Sequence, residues 1–484
     1  MLHKFYRIQK IGSCDVLLIE PPAPHKKGVI RILGSIGTYK TSMAWPPLDL
    51  MIIDGLLTKE KIKSFIYDAN GTKGSWKDVE EMIKLTKPRL AVFTTSTTTI
   101  LHDLNTAMVV KQISPSTITL AIGTHVVALP EETLEILPEL NVAVIDEPEI
   151  IILELIKNDF SFRNTSGICF REDGKIYKNP SKGKLQNLDF LGFPSHHKIP
   201  FKIYHDPLTE RFPMTITYGS RGCINSCIYC CSKFYQPLRL RSVEKIIEEL
   251  KWLQDLGIKE VRFFDLGLTN DLNWAKKLFE EMIKNKISLT WSSEARVDRI
   301  NPEIVKLMKS AGCRSIDIGV ETGDEEILKT IKKNITLEQV VEAVNIIKKE
   351  KIKVMTHFML GLPGEKKETI KKTVDFVLRL NPDYMALGIA TPHPGTSLYD
   401  FLEKNNYLKT RDWVKYDPMQ EPVFEYPELS GEEIYKALSY AYRKFYLRVK
   451  FIGEKIRNIK SLKDFKREIL NLSGFSSRFL CITS

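Results

Sequence analysis

A two-part α/β fold with a helical tail follows from three observations. Between residues 15 and 157 five short apolar segments alternate with amphipathic ones, and from residue 213 six more do the same. After about residue 425 the alternation stops and the pattern turns helical and basic. Repeated strand and helix imply parallel sheets. The reading is therefore an open, Rossmann-like parallel sheet, then a partial (β/α)6 TIM-like barrel, then a helical C-terminal region. With 484 residues, 43% of them hydrophobic and 27% charged, the chain can fill two or three cores.

The first set of strands is "DVLLIEPP", "IKSFIYDAN", "RLAVFTTS", "ITLAIGTH" and "NVAVIDEP", each apolar and bounded by Pro, Gly, Asn or Asp. Stretches such as "VEEMIKL" and "EETLEIL" between them have the helical period. In such sheets ligands bind beyond the carboxyl ends of the strands, here "PPAPHKKG", "TTSTTT" and "GTHVVALP". "GICFREDGKIYKNP" reads as a hairpin turning at Asp173-Gly174, and Pro194 and Pro200 mark an irregular linker. The second set is "MTITYGS", "KEVRFFD", "LTWSSEAR", "RSIDIGVET", "KVMTHFMLGLPG" and "YMALGIATP", too few for a closed eight-fold barrel. The expected division is 1–190, linker 191–212, 213–424 and 425–484.

Four of the eight cysteines crowd into "RGCINSCIYCCSKFYQ". The others, Cys14, Cys169, Cys313 and Cys481, are scattered singly, which suits a reducing compartment better than a disulfide framework. No apolar run reaches the roughly 18 to 20 residues that span a bilayer, and "MLHKFYRIQK" lacks a signal-peptide core. The expectation is a cytoplasmic protein, at most peripheral at a membrane. Net charge is +11, and from Arg443 to Glu468 ten Lys or Arg face three acids. That run is either a solvated helix face or a contact for an anionic lipid surface or substrate. Aromatic residues are not interleaved with it, which makes nucleic acid unlikely.

Cys223, Cys227 and Cys230 form CxxxCxxC just past the first strand of the second set. Three thiolates can hold three irons of a cubane cluster and leave the fourth open, whereas full ligation takes four cysteines. Cys231 is adjacent to Cys230 and poorly placed to reach the opposite corner. Zinc is the alternative, but its structural sites pair two knuckles, and only His205 could be recruited here.

With this loop the sequence resembles the radical S-adenosylmethionine superfamily, over roughly residues 213–410. The resemblance implies a [4Fe-4S] cluster on Cys223, Cys227 and Cys230, with Tyr229 as the aromatic of the motif. Its open iron would chelate S-adenosylmethionine, which reduction cleaves to a 5′-deoxyadenosyl radical. It also implies that Asp265 meets the methionine amino group, that Glu294 and Arg296 in "SSEAR" and Glu321 in "DIGVETG" contact the cofactor, and that "GLPGE" opens the helix after the fifth strand. An external electron donor such as ferredoxin or flavodoxin belongs to this chemistry.

Residues 1–190 resemble the cobalamin-binding domain fused ahead of one branch of that superfamily. "LLIEPP", "WPPLDLMIIDGLL", "IGTH", "IDEPEIIILELI" and the linker "LQNLDFLGFPSHHKIP" carry the likeness. The cobalt-ligating DxHxxG loop is incomplete: His25 and Gly28 keep their spacing while Ala23 replaces the acid. An imidazole without its orienting carboxylate is a poor ligand, so a surface role suits His25. Gly123 and the hydroxyls from Thr94 to Thr99, Ser96 among them, are expected to receive the nucleotide tail, with His125 close by. The implied activity is cobalamin-dependent methylation of an unactivated carbon, on a small-molecule or lipid-like substrate. A radical cyclase without methyl transfer is the rival enzyme, and a cobalamin- or metal-sensing regulator the non-enzyme. His393 and Tyr399 in "TPHPGTSLY" are candidates to face the site.

Overall fold

In the computed structural model the described residues are 4–8, 11–25, 28–31, 37–38, 44–206 and 208–458. The first sheet is built on β1 (Val16–Glu20), β2 (Ser64–Asp68), β3 (Leu90–Thr94), β4 (Ile118–Ile122) and β5 (Val142–Val144), all parallel in the order β2-β1-β3-β4-β5. Helices cover both faces, so β1 and β3 are buried at every position, as their unbroken apolar runs require. Strand order reverses between β1 and β3, which opens a crevice at their carboxyl ends. The hairpin is not a separate element. Asp173 and Gly174 take positive φ (50° and 74°), the twist-matched two-residue turn, and β6 (Ile168–Glu172) and β7 (Lys175–Asn179) extend the same sheet antiparallel from β5.

The second sheet contains β8 (Met214–Thr217), β9 (Glu260–Phe263), β10 (Thr290–Ala295), β11 (Cys313–Glu321), β12 (Lys353–Leu360) and β13 (Tyr384–Ile389), six parallel strands in chain order. Their helices pack on one face, where Trp291 sits between Phe263 and Phe279 at ring distances of 5.7 and 5.2 Å. Arg262, Glu294, Asp317 and His357 alternate with these apolar positions and face the other side.

The linker packs against both halves. The linker crosses helix Leu48–Lys59 at Gly55, where a Cβ would lie 2.2 Å from the Phe193 carbonyl oxygen. Further on, His196 is fully buried, with Nδ1 2.9 Å from the Thr215 hydroxyl and Nε2 3.4 Å from Glu249. Met214, Ile216 and Tyr218 of the second part share one core with β1–β5.

β13 ends the second sheet, and an open edge is a template for wrong pairing. Helix Gly431–Tyr446 closes it with two tyrosines one turn apart. The Tyr446 hydroxyl accepts from Met385 N (3.1 Å) and donates to Met385 O (2.6 Å); Tyr442 does the same to Leu387 at 3.2 and 2.9 Å. Among the described residues no helix is long and apolar enough to cross a membrane. Residues 459–484, which include the rest of the basic run, lie outside the described residues. Tyr442→Phe with Tyr446→Phe leaves four backbone groups of β13 unpaired, so the double variant should lose about 2–4 kcal/mol in urea unfolding, each single variant about half.

Candidate functional site

The cysteine loop is a closed excursion from the second sheet. Ser220–Arg221 pairs antiparallel with Arg239–Leu240, so residues 222–238 leave and return at one point. Gly222 makes this possible: at φ 85°, a Cβ would lie 2.3 Å from the Pro237 oxygen and 2.5 Å from that of Tyr235. Cys223 is buried, Cys227 and Cys230 are half-buried, and all described cysteines are free thiols. The sulfurs meet N–H donors: Asn225 Nδ2 (3.5 Å) and Asn270 Nδ2 (3.8 Å) at Cys223, and Ser232 N (3.4 Å) at Cys230. Donors of this kind suit thiolates that carry an iron–sulfur cluster. Among the described residues no three His, Cys, Asp or Glu are arranged to chelate a single ion. Burial, then Cys230, pushes the Cys231 thiol up to about 12. His205 spends its ring nitrogen Nδ1 on the Ile203 oxygen and its backbone on Ala44.

The base of this loop is held by the first part of the molecule. Glu147 and Glu149 stand at the start of helix Pro148–Lys157, after β5. Arg239 makes a bidentate bond to Glu147 at 2.7 and 2.8 Å; Arg221 grips Glu149 with both Nη atoms and lies 3.6 Å from Glu147. All four side chains are 1–5% exposed. Burial acts to raise the Glu147 pKa, but Arg239 and Arg221 outweigh it and leave the pKa lowered. Neither acid figured among the sequence candidates. "IDEPE" carries them, yet two acids before and after a proline look like an ordinary helix start.

Tyr229 and Glu321 come together through a residue the sequence reading missed. Lys333 Nζ is 2.5 Å from Glu321 Oε1 and 3.4 Å from the Tyr229 hydroxyl. Arg296 joins them by donating from Nη2 to the Lys333 carbonyl (3.0 Å) and from Nε to Asp298 (2.9 Å). Glu321 closes β11 with φ 76°, a conformation rare outside glycine, beside a register shift against β12. No pattern in "IKKNIT" separates Lys333 from the many surface lysines.

Asp265 is spent on its own surroundings: its carboxylate accepts from Gly219 N at 3.0 Å and from the Ser220 N–H and hydroxyl. It therefore shapes the turn from β8 into the loop. Burial pushes its pKa up to about 6 against the lowering by Ser220 and Gly219. Glu294 faces the open side of the sheet, 44% exposed and 3.5 Å from Arg262. Arg262 Nη2 also donates to Asp317 Oδ2 (2.8 Å), from which His357 Nε2 is 3.7 Å away. Trp45 covers the Arg262 guanidinium at 5.2 Å. Arg262 Nε, Asp317 Oδ1 and His357 Nε2 have no hydrogen-bond partner among the described residues. This face thus presents polar groups in want of partners.

At the first sheet, the crevice between β1 and β3 holds Arg31, which bonds Glu20 (2.9 Å), Asp103 (2.7 and 3.0 Å) and the carbonyls of Pro21 and Pro22. Thr94 donates to Glu20, and Ser96 bonds Thr99 (2.8 Å) and, through its N–H, Asp103 (3.1 Å). Both hydroxyls are committed inward. Gly123, at φ 136°, lets Thr95 close in: a Cβ there would lie 2.5 Å from the Thr95 oxygen. His125 differs. It is 1% exposed, packs edge-on to Trp413 at 5.1 Å, and neither ring nitrogen has a hydrogen-bond partner among the described residues. Burial, with His393 and Arg411 nearby, brings its pKa down to about 4, so the ring is neutral. His393 Nε2 is likewise unpartnered, while the Tyr399 hydroxyl turns to Glu403 (3.1 Å). His25 is exposed.

Residues 217–377 match the model of the radical SAM superfamily. The chain is 30% identical over 443 residues to an uncharacterized methyltransferase of Pyrococcus horikoshii, covering 90% of this chain and 93% of the relative. It belongs to the radical S-adenosylmethionine superfamily. An anaerobic magnesium-protoporphyrin IX monomethyl ester cyclase of Rubrivivax gelatinosus is 25% identical, over 90% of this chain and 80% of that enzyme. In fold, the chain is similar to the radical S-adenosylmethionine methyltransferase TsrM from Kitasatospora setae, solved with cobalamin and a [4Fe-4S] cluster (TM-score 0.66, 16% identity, 82% of this chain and 76% of that one).

Two buried carboxylates, one at the base of the cysteine loop and one on the turn after β12, predict measurable behaviour. Glu149→Gln leaves Arg221 buried with half its partner, a break that costs about 3–5 kcal/mol. Urea unfolding should show that loss, and alkylation of the iron-free cysteine loop by N-ethylmaleimide should quicken. Glu365 of "GLPGE" accepts from Gly361 N (2.5 Å) and Leu362 N (3.2 Å) on one oxygen, and the other has no hydrogen-bond partner among the described residues. Burial pushes its pKa up to about 8. The folded state therefore holds a proton that the unfolded chain, near pKa 4.3, releases, and stability falls as pH rises from about 4 to about 8. Glu365→Gln should remove that fall, gaining on the native protein between pH 5 and pH 9 in urea midpoints.

Proposed function

We propose that this radical SAM protein is a cobalamin-dependent methyltransferase that acts on an unactivated carbon of a small molecule. Residues 1–190 are read as a Rossmann-like domain of the cobalamin-binding type, 191–212 as the linker, 213–424 as the partial barrel and 425–484 as the helical tail. The observation that carries the proposal is the clamp. A cysteine loop with N–H donors at its sulfurs is anchored by Glu147 and Glu149 of the first part, so whatever each sheet holds at its carboxyl edge is brought to one interface. When bound, the [4Fe-4S] cluster supplies the electron that cleaves S-adenosylmethionine to a 5′-deoxyadenosyl radical, and cobalamin supplies the methyl group.

The chain's own residues bind and shield. Cys223, Cys227 and Cys230 would hold three irons, with Tyr229, Glu321 and Arg296 beside them for S-adenosylmethionine and Glu294 on the open face. Asp265 holds the turn on which they depend. At the first sheet, the neutral, unpartnered imidazole of His125 supports a cofactor edge at the end of β4. Thr94, Ser96 and Gly123 would support that edge from within.

The open face of the second sheet bears on the substrate. Hydrocarbon laid against Arg262, Glu294, Asp317 and His357 would leave their polar atoms unpaired at about 1–3 kcal/mol each. A substrate with polar groups at this end suits the face better than a wholly lipid-like one. Peripheral membrane contact would then rest on the tail alone, where Val449 is 87% exposed. The electron donor would be of the ferredoxin or flavodoxin kind. Ring closure without methyl transfer is the second reading, favoured by the likeness to the cyclase.

Iron and cobalt counted on anaerobically reconstituted protein offered hydroxocobalamin test the proposal. About four irons and one cobalt, with S-adenosylhomocysteine formed beside deoxyadenosine, are expected. Iron without cobalt would move ring closure to the front, and deoxyadenosine release that survives in Cys227→Ala would end the radical SAM assignment for this loop.

A further inference from the structure

The turn after helix Glu325–Thr330 faces the cysteine loop residue by residue. The helix stops on a left-handed Lys332 (φ 55°), with Lys332 N donating to Lys329 O and Lys333 N to Leu328 O, both at 3.0 Å. This paired ending sends the next residues back across the helix axis. Ile331 O accepts from Ile228 N at 3.2 Å, Lys332 O receives the Cys227 thiol at 3.7 Å, and Lys333 Nζ reaches the Tyr229 hydroxyl at 3.4 Å. Three consecutive residues of the turn thus touch three consecutive residues of the loop.

The Lys333 ammonium is balanced on its other side by Glu321, with both side chains 8% exposed. Gly319 makes room for the pair: a Cβ there would lie 2.4 Å from Glu321 Oε1 and 2.7 Å from Lys333 Nζ. A charge held this deep is screened little by solvent.

We propose that Lys333 is a positioning residue for the iron–sulfur centre: it latches the cysteine loop to the end of β11, and its charge, opposed by Glu321, helps set the reduction potential of the loaded loop. The inference rests on the [4Fe-4S] reading of that loop. A cluster gains negative charge when it takes an electron, and its potential follows local charge and hydrogen bonding. Removing the ammonium should therefore make reduction harder, and removing the carboxylate should make it easier.

The test is a redox titration of full-length, reconstituted protein without S-adenosylmethionine, followed by electron paramagnetic resonance of the reduced cluster, with iron counted in every sample. Lys333→Gln is expected to shift the midpoint to more negative potential, Glu321→Gln to more positive potential, and Lys333→Arg to stay near the native value. A merely structural role would not give shifts of opposite sign. If Lys333→Gln fails to keep its iron, a positive shift in Glu321→Gln with a native midpoint in Lys333→Arg still supports the inference. Native midpoints in Glu321→Gln and Lys333→Gln at full iron content overturn it. Native protein that takes up no iron overturns the cluster reading itself, a failure distinct from unchanged midpoints.

Discussion

Everything at the site hangs on two arginines and two glutamates buried where the sheets meet. Arg221 and Arg239 flank the cysteine loop on its two short strands, and Glu147 and Glu149 start a helix of the first sheet. Four charges taken out of water are costly unless each finds a geometry that returns the loss. The guanidinium fork on a carboxylate does so, through paired, charge-assisted hydrogen bonds. The helix N-terminus adds its own attraction for the acids. Because the pairs cannot separate cheaply, they tie the base of the cysteine loop to the first sheet.

The same economy shapes the rest of the interface. His196 and Arg241 converge on buried Glu249, whose pKa they bring down to about 2 against the opposing effect of burial. The linker must touch helix Leu48–Lys59, so Gly55 stands where any side chain would collide with the Phe193 carbonyl. On the second sheet, one face is spent on apolar contact with the helices and the other keeps its charges. That asymmetry leaves a polar, charged surface without weakening the core.

Much of the architecture was legible in the residues. Ten of the eleven parallel strands lie within the segments that apolar runs and their Pro, Gly and Asp boundaries mark out, β11 starts one residue before its segment at Cys313, and the Asp173-Gly174 turn falls where its dipeptide requires. The three loop cysteines could be read from spacing because thiols that close together in a cysteine-poor chain have few other uses. The hairpin's place in the first sheet was not legible, since a hairpin carries no mark of the edge it will join. Thr94 and Ser96 read as hydroxyls for a nucleotide tail, yet Arg31 draws Glu20 and Asp103 into the crevice, where the Thr94 hydroxyl donates to Glu20, the Ser96 N–H to Asp103, and the Ser96 hydroxyl pairs with Thr99.

What the sequence by itself determined is the order of elements, the two sheets and the cysteine loop, because periodicity, turn chemistry and close spacing act over a few residues. Tertiary structure alone decided which polar residues serve the site. Lys333, Glu147 and Glu149 look like ordinary charges along the chain, and Asp265 looks like a free ligand. Only burial, which makes an unpaired charge expensive, forces each to its partner, and that partner lies anywhere from 12 to 92 residues away.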